Sequence, residues 1–217
     1  MKVRSFRSGR IGSLVGLLTF VVGASAAFAS TPGGDVRLTH DNLASSGYVS
    51  ADDLAGLAHY TDATLDECSV SRGRQNEPAL AIDPRNNHVM VGSSNDYCAV
   101  YNDGVDANGA PIPSGPIWLG YYRSQNSGGS FVSSLVPGYP GDTSHLGALA
   151  TERTATSGDP VLAWDSQGRL FAGAEASGDP AGTKKTFGDA WVARYVNSGG
   201  NTTLNDGKRF AGTVRVA

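Results

Sequence analysis

The chain has 217 residues, with 17 lysines and arginines against 20 aspartates and glutamates, so its formal net charge is −3. This slightly acidic balance argues against nucleic acid and anionic membrane surfaces as the main partners. Beyond the N-terminus, no segment is apolar over enough residues to cross a membrane. The length is that of one domain following a short N-terminal segment.

The N-terminal segment is predicted to be a secretory signal peptide, residues 1–29. It begins with a basic region formed by Lys2, Arg4, Arg7 and Arg10. An apolar run over residues 11–23 follows, which is too short to span a bilayer comfortably. The sequence Ala27-Phe28-Ala29 then provides an A-x-A cleavage pattern. We therefore expect a secreted protein cleaved near Ala29, with a net charge of −7 because four basic and no acidic side chains are removed.

Residues 30–67 are predicted to form an N-terminal extension that contains a short helix. The helix is expected over residues 51–59, with Ser50 as the N-cap and Asp53 three residues further on. Elsewhere the chain is expected to contain little helix.

Cys68 and Cys98 are the two cysteines of the chain. In an exported protein, such a pair predicts one disulfide, which stabilises by roughly 3–4 kcal/mol in the chain-entropy model. The alternative is two separate buried thiols. Neither a metal site nor a cofactor is predicted, because two thiols alone are too few ligands. The histidines have no paired spacing and are scattered, at His40, His59, His88 and His145.

Residues 124–131 read Ser-Gln-Asn-Ser-Gly-Gly-Ser-Phe and lie between two strand-like runs, so they predict a β-hairpin turn. The side chains of Ser124 and Asn126 are expected to hydrogen-bond the backbone of the turn. Gly128 and the glycine after it are expected to take positive φ angles without a Cβ penalty. Phe131 is expected to return to a buried face and anchor the turn. The alternative is a hairpin turn in which these residues have no special structural role.

Two stretches of the chain repeat each other, residues 77–92 and residues 159–173. Each contains an acidic residue, a proline, an apolar strand, an aspartate, a polar turn and a second apolar strand. The prolines are expected at the first residue of their strands, where no ladder partner is needed. The similarity continues downstream, so the unit has four strands, over residues 79–136 and again over residues 160–216. Four-stranded units repeated in sequence are typical of a β-propeller.

Together the repeat and the octet resemble the sialidase-like Asp-box (BNR-repeat) β-propeller superfamily, over about residues 68–217. The family's Asp-box reads Ser-x-Asp-x-Gly-x-Thr-Trp, and here Asn126, Ser130 and Phe131 replace the Asp, Thr and Trp. Structural roles are thus implied for Ser124, Asn126, Gly128 and Phe131. The resemblance implies an all-β fold, a partial β-propeller with about two four-stranded blades. Since propellers close with about four to eight blades, we expect a fragment of a longer protein, or closure by self-association through open blade edges.

Blade topology sorts the connections onto two faces. The A–B and C–D turns of each blade share the turn face, whereas the B–C and inter-blade connections share the long-loop face. Long irregular segments on a rigid scaffold are where binding groups usually lie. The candidates on the long-loop face are Arg72, Arg74, Glu77, Asp96, Tyr97, Arg153 and Asp159, with Asn76, Asn95, Glu175 and Asp179 beside them. Glu77 and Asp159 recur at the same place in successive blades, and the alternative for them is a scaffold role.

Two classes of function are compatible with this pattern. The first is a sialidase-like glycoside hydrolase, for which the resemblance implies three arginines on the sugar carboxylate, a Tyr–Glu nucleophile and an Asp acid/base. Arg72 and Arg74 lie roughly where the family places its first arginine, although its Phe/Tyr-Arg-Ile-Pro motif is not present there. The second is a non-catalytic extracellular propeller that binds a glycan or a protein. The chain alone is expected to be inactive.

Overall fold

The computed structural model describes residues 34–42, 46–100, 117–177, 189–196 and 207–216. Within these ranges, eight strands form two four-stranded antiparallel sheets, each with its strands in chain order. Sheet one contains β1 (Gln75–Ile82), β2 (Met90–Asp96), β3 (Trp118–Ser124) and β4 (Val132–Leu135). Sheet two contains β5 (Thr156–Trp164), β6 (Leu170–Ser177), β7 (Asp189–Val196) and β8 (Arg209–Arg215). This confirms the predicted fold class, an all-β partial propeller with two four-stranded blades. The predicted signal peptide, residues 1–29, lies outside the described residues.

The first strand of each sheet begins earlier than the sequence predicts, at Gln75 and Thr156. As a result, Pro78 and Pro160 lie inside their strands and not at the first residue. The strands accommodate them because the pairing register shifts around each proline. At such a bulge, the N–H that proline lacks is not needed by the ladder.

The first helix, α1 (Ala51–Leu54), is shorter than the predicted helix over residues 51–59. Its N-cap is Ser50, whose Oγ accepts a hydrogen bond of 3.0 Å from the backbone N–H of Asp53. The helix ends early because Gly56 takes a φ of +71°, the left-handed conformation that commonly terminates helices.

A second helix, α2 (Ala63–Val70), was not predicted from the sequence. It begins at Asp62, whose carboxylate accepts a hydrogen bond of 2.9 Å from the N–H of Leu65. Its sequence lacks a regular apolar stripe, so only this cap residue indicates a helix. Cys68 on α2 forms the predicted disulfide with Cys98, 30 residues away, with 4.5 Å between the Cα atoms. The disulfide fixes α2 to the chain that leaves β2, and it is compatible with an extracellular protein.

Aromatic side chains from equivalent strands join the two sheets. Tyr121 of β3 and Tyr195 of β7 are stacked with 4.3 Å between ring centroids, and Phe210 packs edge-on against Tyr195 at 5.5 Å. Nearer the long-loop face, Trp118 and Trp191 lie 6.2 Å apart. Contacts of this kind add about 0.5–1.5 kcal/mol each beyond the burial of apolar area.

The N-terminal extension pairs with the edge strand β4 of sheet one and covers only part of the outer face of that sheet, where Leu80 is 55% exposed. Tyr48 forms a parallel bridge to Ser133 of β4, and the next residue, Val49, donates a backbone hydrogen bond of 2.9 Å to the carbonyl of Ser133. By contrast, the outward face of sheet two is open among the described residues, where Val161 and Val214 are both 67% exposed. Self-association of the chain through open blade edges stays a prediction.

Candidate functional site

The long-loop face brings together acidic side chains from both sheets. Glu77 and Asp159 precede the bulged prolines of β1 and β5, and both have positive φ angles, of 53° and 55°. Glutamate rarely adopts this conformation and aspartate does so more often; residues held in it cost of order 1–3 kcal/mol and are often found at functional sites. The bulge therefore orients the same acidic position in the same way in each sheet.

Asn95, near the end of β2, connects these two acidic residues. Its Nδ2 donates hydrogen bonds of 2.8 Å to Glu77 Oε2 and of 3.3 Å to Asp159 Oδ1. Its Oδ1 accepts a bond of 2.6 Å from the backbone N–H of Asp159. Because Asn95 is only 6% exposed, this one amide holds a buried link between the two sheets, with the carboxyl groups on the solvent side.

The two carboxyl groups also interact directly. A hydrogen bond with Asp159 raises the pKa of Glu77, and nearby negative charge adds to this shift. The same hydrogen bond, together with that from Asn95, lowers the pKa of Asp159. A third carboxylate, that of Glu175 on β6, adds a repulsive charge for Glu77 and a hydrogen bond for Asp159. Glu77 and Asp159 thus form a closely spaced acidic pair whose two pKa values are shifted in opposite directions.

Asp96 has a different environment from its neighbour Asn95. It is fully buried, and its Oδ2 accepts hydrogen bonds from the hydroxyls of Tyr48, at 2.6 Å, and Tyr122, at 2.7 Å. Burial raises the pKa of Asp96, although these bonds and one from the N–H of Cys98 oppose the shift. The same burial, with the charge of Asp96, raises the pKa of both tyrosines. Asp96 therefore joins the extension to sheet one beneath the face.

Arg72 and Arg74 are exposed and lie on the segment between α2 and β1. The backbone there is fixed, because the N–H of Arg72 donates to the carbonyl of Asp41 at 3.0 Å and the carbonyl of Arg74 accepts from the N–H of Tyr97 at 2.9 Å. Tyr97 itself is half-buried. These three predicted candidates thus lie on two neighbouring segments that backbone hydrogen bonds hold in place, next to the disulfide of Cys98.

Arg153 lies on the connection between the two sheets and binds backbone carbonyls. Its Nη1 donates to the carbonyl of Asp142 at 3.1 Å, and its Nη2 donates to that of Gly147 at 2.5 Å. The guanidinium thereby stabilises the fold of the inter-blade connection by linking parts of that same segment. The remaining neighbour expected on this face, Asp179, lies outside the described residues.

The turn over residues 124–131, called the Asp-box turn here for its sequence resemblance to that motif, lies at the opposite end of sheet one. Ser124 Oγ accepts hydrogen bonds from the N–H groups of Asn126, at 3.2 Å, and Gly128, at 2.9 Å. Asn126 Oδ1 accepts one of 2.9 Å from the N–H of Ser130. Phe131 is 7% exposed and belongs to the core.

One expectation for this turn is wrong. Gly128 has the expected positive φ, of +83°, but the other positive φ in the turn is that of Ser127, at +59°, and not that of Gly129. Ser127 is held there because its N–H donates to the carbonyl of His88 at 3.0 Å and its Oγ lies 2.7 Å from His88 Nδ1. Contacts with the neighbouring turn therefore compensate the backbone strain.

Sequence reasoning placed Asn95 and Glu175 on the long-loop face but did not identify the link that Asn95 makes. In the sequence, the feature that pointed to this site was the acidic residue that precedes the proline in each repeat. Within the described ranges, no three His, Cys, Asp or Glu side chains are arranged to hold a metal ion. A search of the same ranges finds no helix that is long and apolar enough to cross a membrane.

Comparison with known proteins gives a similarity in structure and none in sequence. No family model matches the chain, and no curated protein matches it. Among solved structures, the chain is similar to a Trypanosoma rangeli sialidase in complex with the inhibitor DANA, with 12% sequence identity and a TM-score of 0.38. The similarity covers 66% of this chain and 21% of the sialidase, so the chain spans about a fifth of the length of that protein.

Proposed function

We propose that this chain is part of a secreted, sialidase-like propeller that binds glycans at its long-loop face. The observation that carries the proposal is the Glu77–Asp159 carboxyl pair, which Asn95 holds at the junction of the two sheets. Carboxyl groups that are fixed beneath and open above accept hydrogen bonds from vicinal sugar hydroxyls. The disulfide and the signal-peptide pattern support an extracellular location.

Binding fits this geometry better than hydrolysis. Glycosidases place their two carboxyl groups about 5–5.5 Å or about 6.5–9.5 Å apart, so that a nucleophile or a water fits between them and the sugar. Glu77 and Asp159 instead accept hydrogen bonds from a single nitrogen, Asn95 Nδ2, at 2.8 and 3.3 Å, which holds their carboxyl groups side by side. The raised pKa of Glu77 is a property of a general acid, and for this reason glycoside hydrolysis, such as release of sialic acid, is the second candidate.

The charge of the face bears on which sugar is bound. Glu77, Asp159 and Glu175 make the junction of the sheets acidic, which disfavours a sugar carboxylate directly above the pair. Arg72 and Arg74 are exposed on the segment before β1. A neutral sugar would therefore use the carboxyl pair alone, whereas an acidic sugar would use the pair for its hydroxyls and Arg74 for its carboxylate.

The test is a glycan array followed by calorimetric titration of the strongest ligand. We expect Glu77→Gln and Asp159→Asn each to weaken binding by about 1.5 kcal/mol or more, as for a hydrogen bond to a charged group. Arg74→Ala should weaken an acidic glycan by a similar amount and a neutral one little. The control is Gln167→Ala, since Gln167 is exposed on the turn face of sheet two.

Two results would contradict this proposal. One is a glycan that binds with unchanged affinity to the Glu77→Gln and Asp159→Asn variants. The other is a loss of binding in Gln167→Ala equal to the loss in those variants. Release of sialic acid by the secreted protein, abolished by Glu77→Gln, would favour the hydrolase over the binding protein.

A further inference from the structure

A cleft lies on the turn face, where three parts of the chain meet. It has a volume of about 480 Å³, within the range of roughly 300–1,000 Å³ that is usual for small-molecule sites. Its walls come from helix α1 and Val49 two residues before it, from the Asp-box turn with the adjoining ends of β3 and β4, and from the residue before β8. The cleft is thus separate from the carboxyl pair on the long-loop face.

The charges that line this cleft are mainly positive. Arg123, at the end of β3, is only 3% exposed, and its desolvation lowers its pKa. Lys208 lines the cleft from the side of sheet two and is half-buried. Among the described residues, the Lys208 side chain has no hydrogen-bond or ion-pair partner. Lys208 therefore brings a positive charge to the cleft with which an anionic ligand can pair.

The acidic group of the cleft is already paired. Asp53 Oδ2 accepts a hydrogen bond of 2.7 Å from Ser50, and Asp53 Oδ1 lies 2.9 Å from Nδ1 of His59. Asp83, whose charge acts on Arg123, is buried below and has the Arg85 Nε 3.8 Å from its Oδ1. The guanidinium of Arg123 carries five N–H donors, so it can serve a ligand as well as its partners in the protein.

The remaining walls provide donors and apolar surface. Gln125 is exposed at the rim and offers a side-chain amide. Ser130 Oγ accepts a hydrogen bond of 3.0 Å from Asn126 Nδ2, which leaves its O–H free to donate. Val132, 43% exposed, and Leu54 form the apolar side. This combination of cations, neutral donors and a hydrocarbon wall suits an anion that carries a polar body with an apolar face.

We propose that the cleft between α1, the Asp-box turn and Lys208 binds a small carboxylate-bearing sugar or sugar-like acid. The carboxylate would lie against Lys208 and Arg123, and the ring against Val132 and Leu54. The Asp-box turn then has a role in binding as well as in the fold. This site is independent of the glycan site proposed on the long-loop face.

The experiment is a calorimetric titration of the secreted protein with D-glucuronate and, in parallel, with D-glucose, which differ only in the carboxylate. We expect glucuronate to bind at least tenfold more tightly than glucose, and more weakly as salt is added. Lys208→Gln should weaken glucuronate at least tenfold with an unchanged melting temperature, whereas Lys208→Arg should retain binding. Arg194→Gln is the control, because Arg194 is exposed on β7 away from the cleft.

The Glu77→Gln variant separates the two sites. It should leave glucuronate binding unchanged if the ligand occupies the turn face. Equal affinity for glucuronate and glucose, or no binding of either, would overturn the proposal. So would a Lys208→Gln variant that binds like the unchanged protein, or a Glu77→Gln variant that loses glucuronate.

Discussion

Glu77 in sheet one and Asp159 in sheet two lie at equivalent positions of their blades, and their carboxyl groups accept hydrogen bonds from the same nitrogen, Asn95 Nδ2, at the boundary between the sheets. Each residue has a positive φ because the strand bulges at the proline that follows. The two bulges therefore bring the carboxyl groups together. A feature repeated for each blade in the sequence becomes a single site in the structure.

The opposite pKa shifts of Glu77 and Asp159 predict a coupled titration. The raised pKa of Glu77 stabilises the fold below its unfolded pKa, and this contribution is lost as pH rises through the folded value. The lowered pKa of Asp159 has the opposite sign, because its contribution is present above the unfolded pKa and is lost as pH falls. We expect Asp159→Asn to lower the pKa of Glu77, measured by NMR of the side-chain carboxyl carbon, since the neighbouring carboxylate that raises this pKa is removed. An unchanged titration of Glu77 would show that the two groups are not coupled.

Asn95 should be intolerant of a charge. Asn95→Asp removes the N–H donors that bind Glu77 and Asp159 and places a further carboxylate in a buried position. We expect a loss of about 2–3 kcal/mol at neutral pH, with part of it regained in acid, where the new carboxyl is protonated. Urea unfolding at the two pH values measures this. Asn76→Asp is the matched control, because Asn76 pairs with Asn95 in the ladder but is exposed; an equal loss there would contradict the explanation.

The Asp-box turn should depend on an acceptor at position 126. Asn126→Ala removes the oxygen that accepts from the Ser130 N–H and from Ser124 Oγ. We expect a loss of about 1 kcal/mol in chemical unfolding, toward the lower end for turn hydrogen bonds because Asn126 is exposed. Asn126→Asp keeps the acceptor and should retain full stability. A loss in both variants of the same size would point to the donor Nδ2 instead.

The disulfide should contribute mainly through the unfolded chain. Its loop of about 30 residues predicts a loss of roughly 3–4 kcal/mol for Cys68→Ser, Cys98→Ser or the double variant. All three should be alike, since each removes the same cross-link. Unreduced peptide mass spectrometry identifies the bond, and unfolding with and without reductant measures its effect. Free thiols at both positions in protein isolated without reductant would contradict the assignment.

The sequence predicts the architecture well because two kinds of local pattern specify it. Alternating apolar strands with polar turns give each four-stranded unit, and the repeat of these units gives two blades. The Ser50 cap was likewise readable, but the end of α1 depended on one residue, Gly56, whose φ is not fixed by composition. Helix α2 was missed because it is held by a disulfide and not by an apolar stripe.

The site was predicted only in outline. The positive φ of Glu77 and Asp159 is not a property of either residue type, and it follows from bulges whose register only the paired strands determine. The link through Asn95 joins residues 18 and 64 positions away. Such a contact depends on how the two sheets pack, which local patterns do not encode. Arg153 illustrates the same limit, since its partners are backbone carbonyls that carry no sequence signal.

The pair formed by Trp118 and Trp191 gives the two sheets an optical signature. The indole rings come from different sheets and lie 6.2 Å apart with 30° between their planes. At that separation their electronic transitions couple, and the circular dichroism spectrum acquires a pair of bands of opposite sign that neither ring produces alone. This couplet would persist as long as the blades stay docked and vanish when they separate, even with every strand intact. A spectrometer can therefore follow docking of the blades independently of their folding.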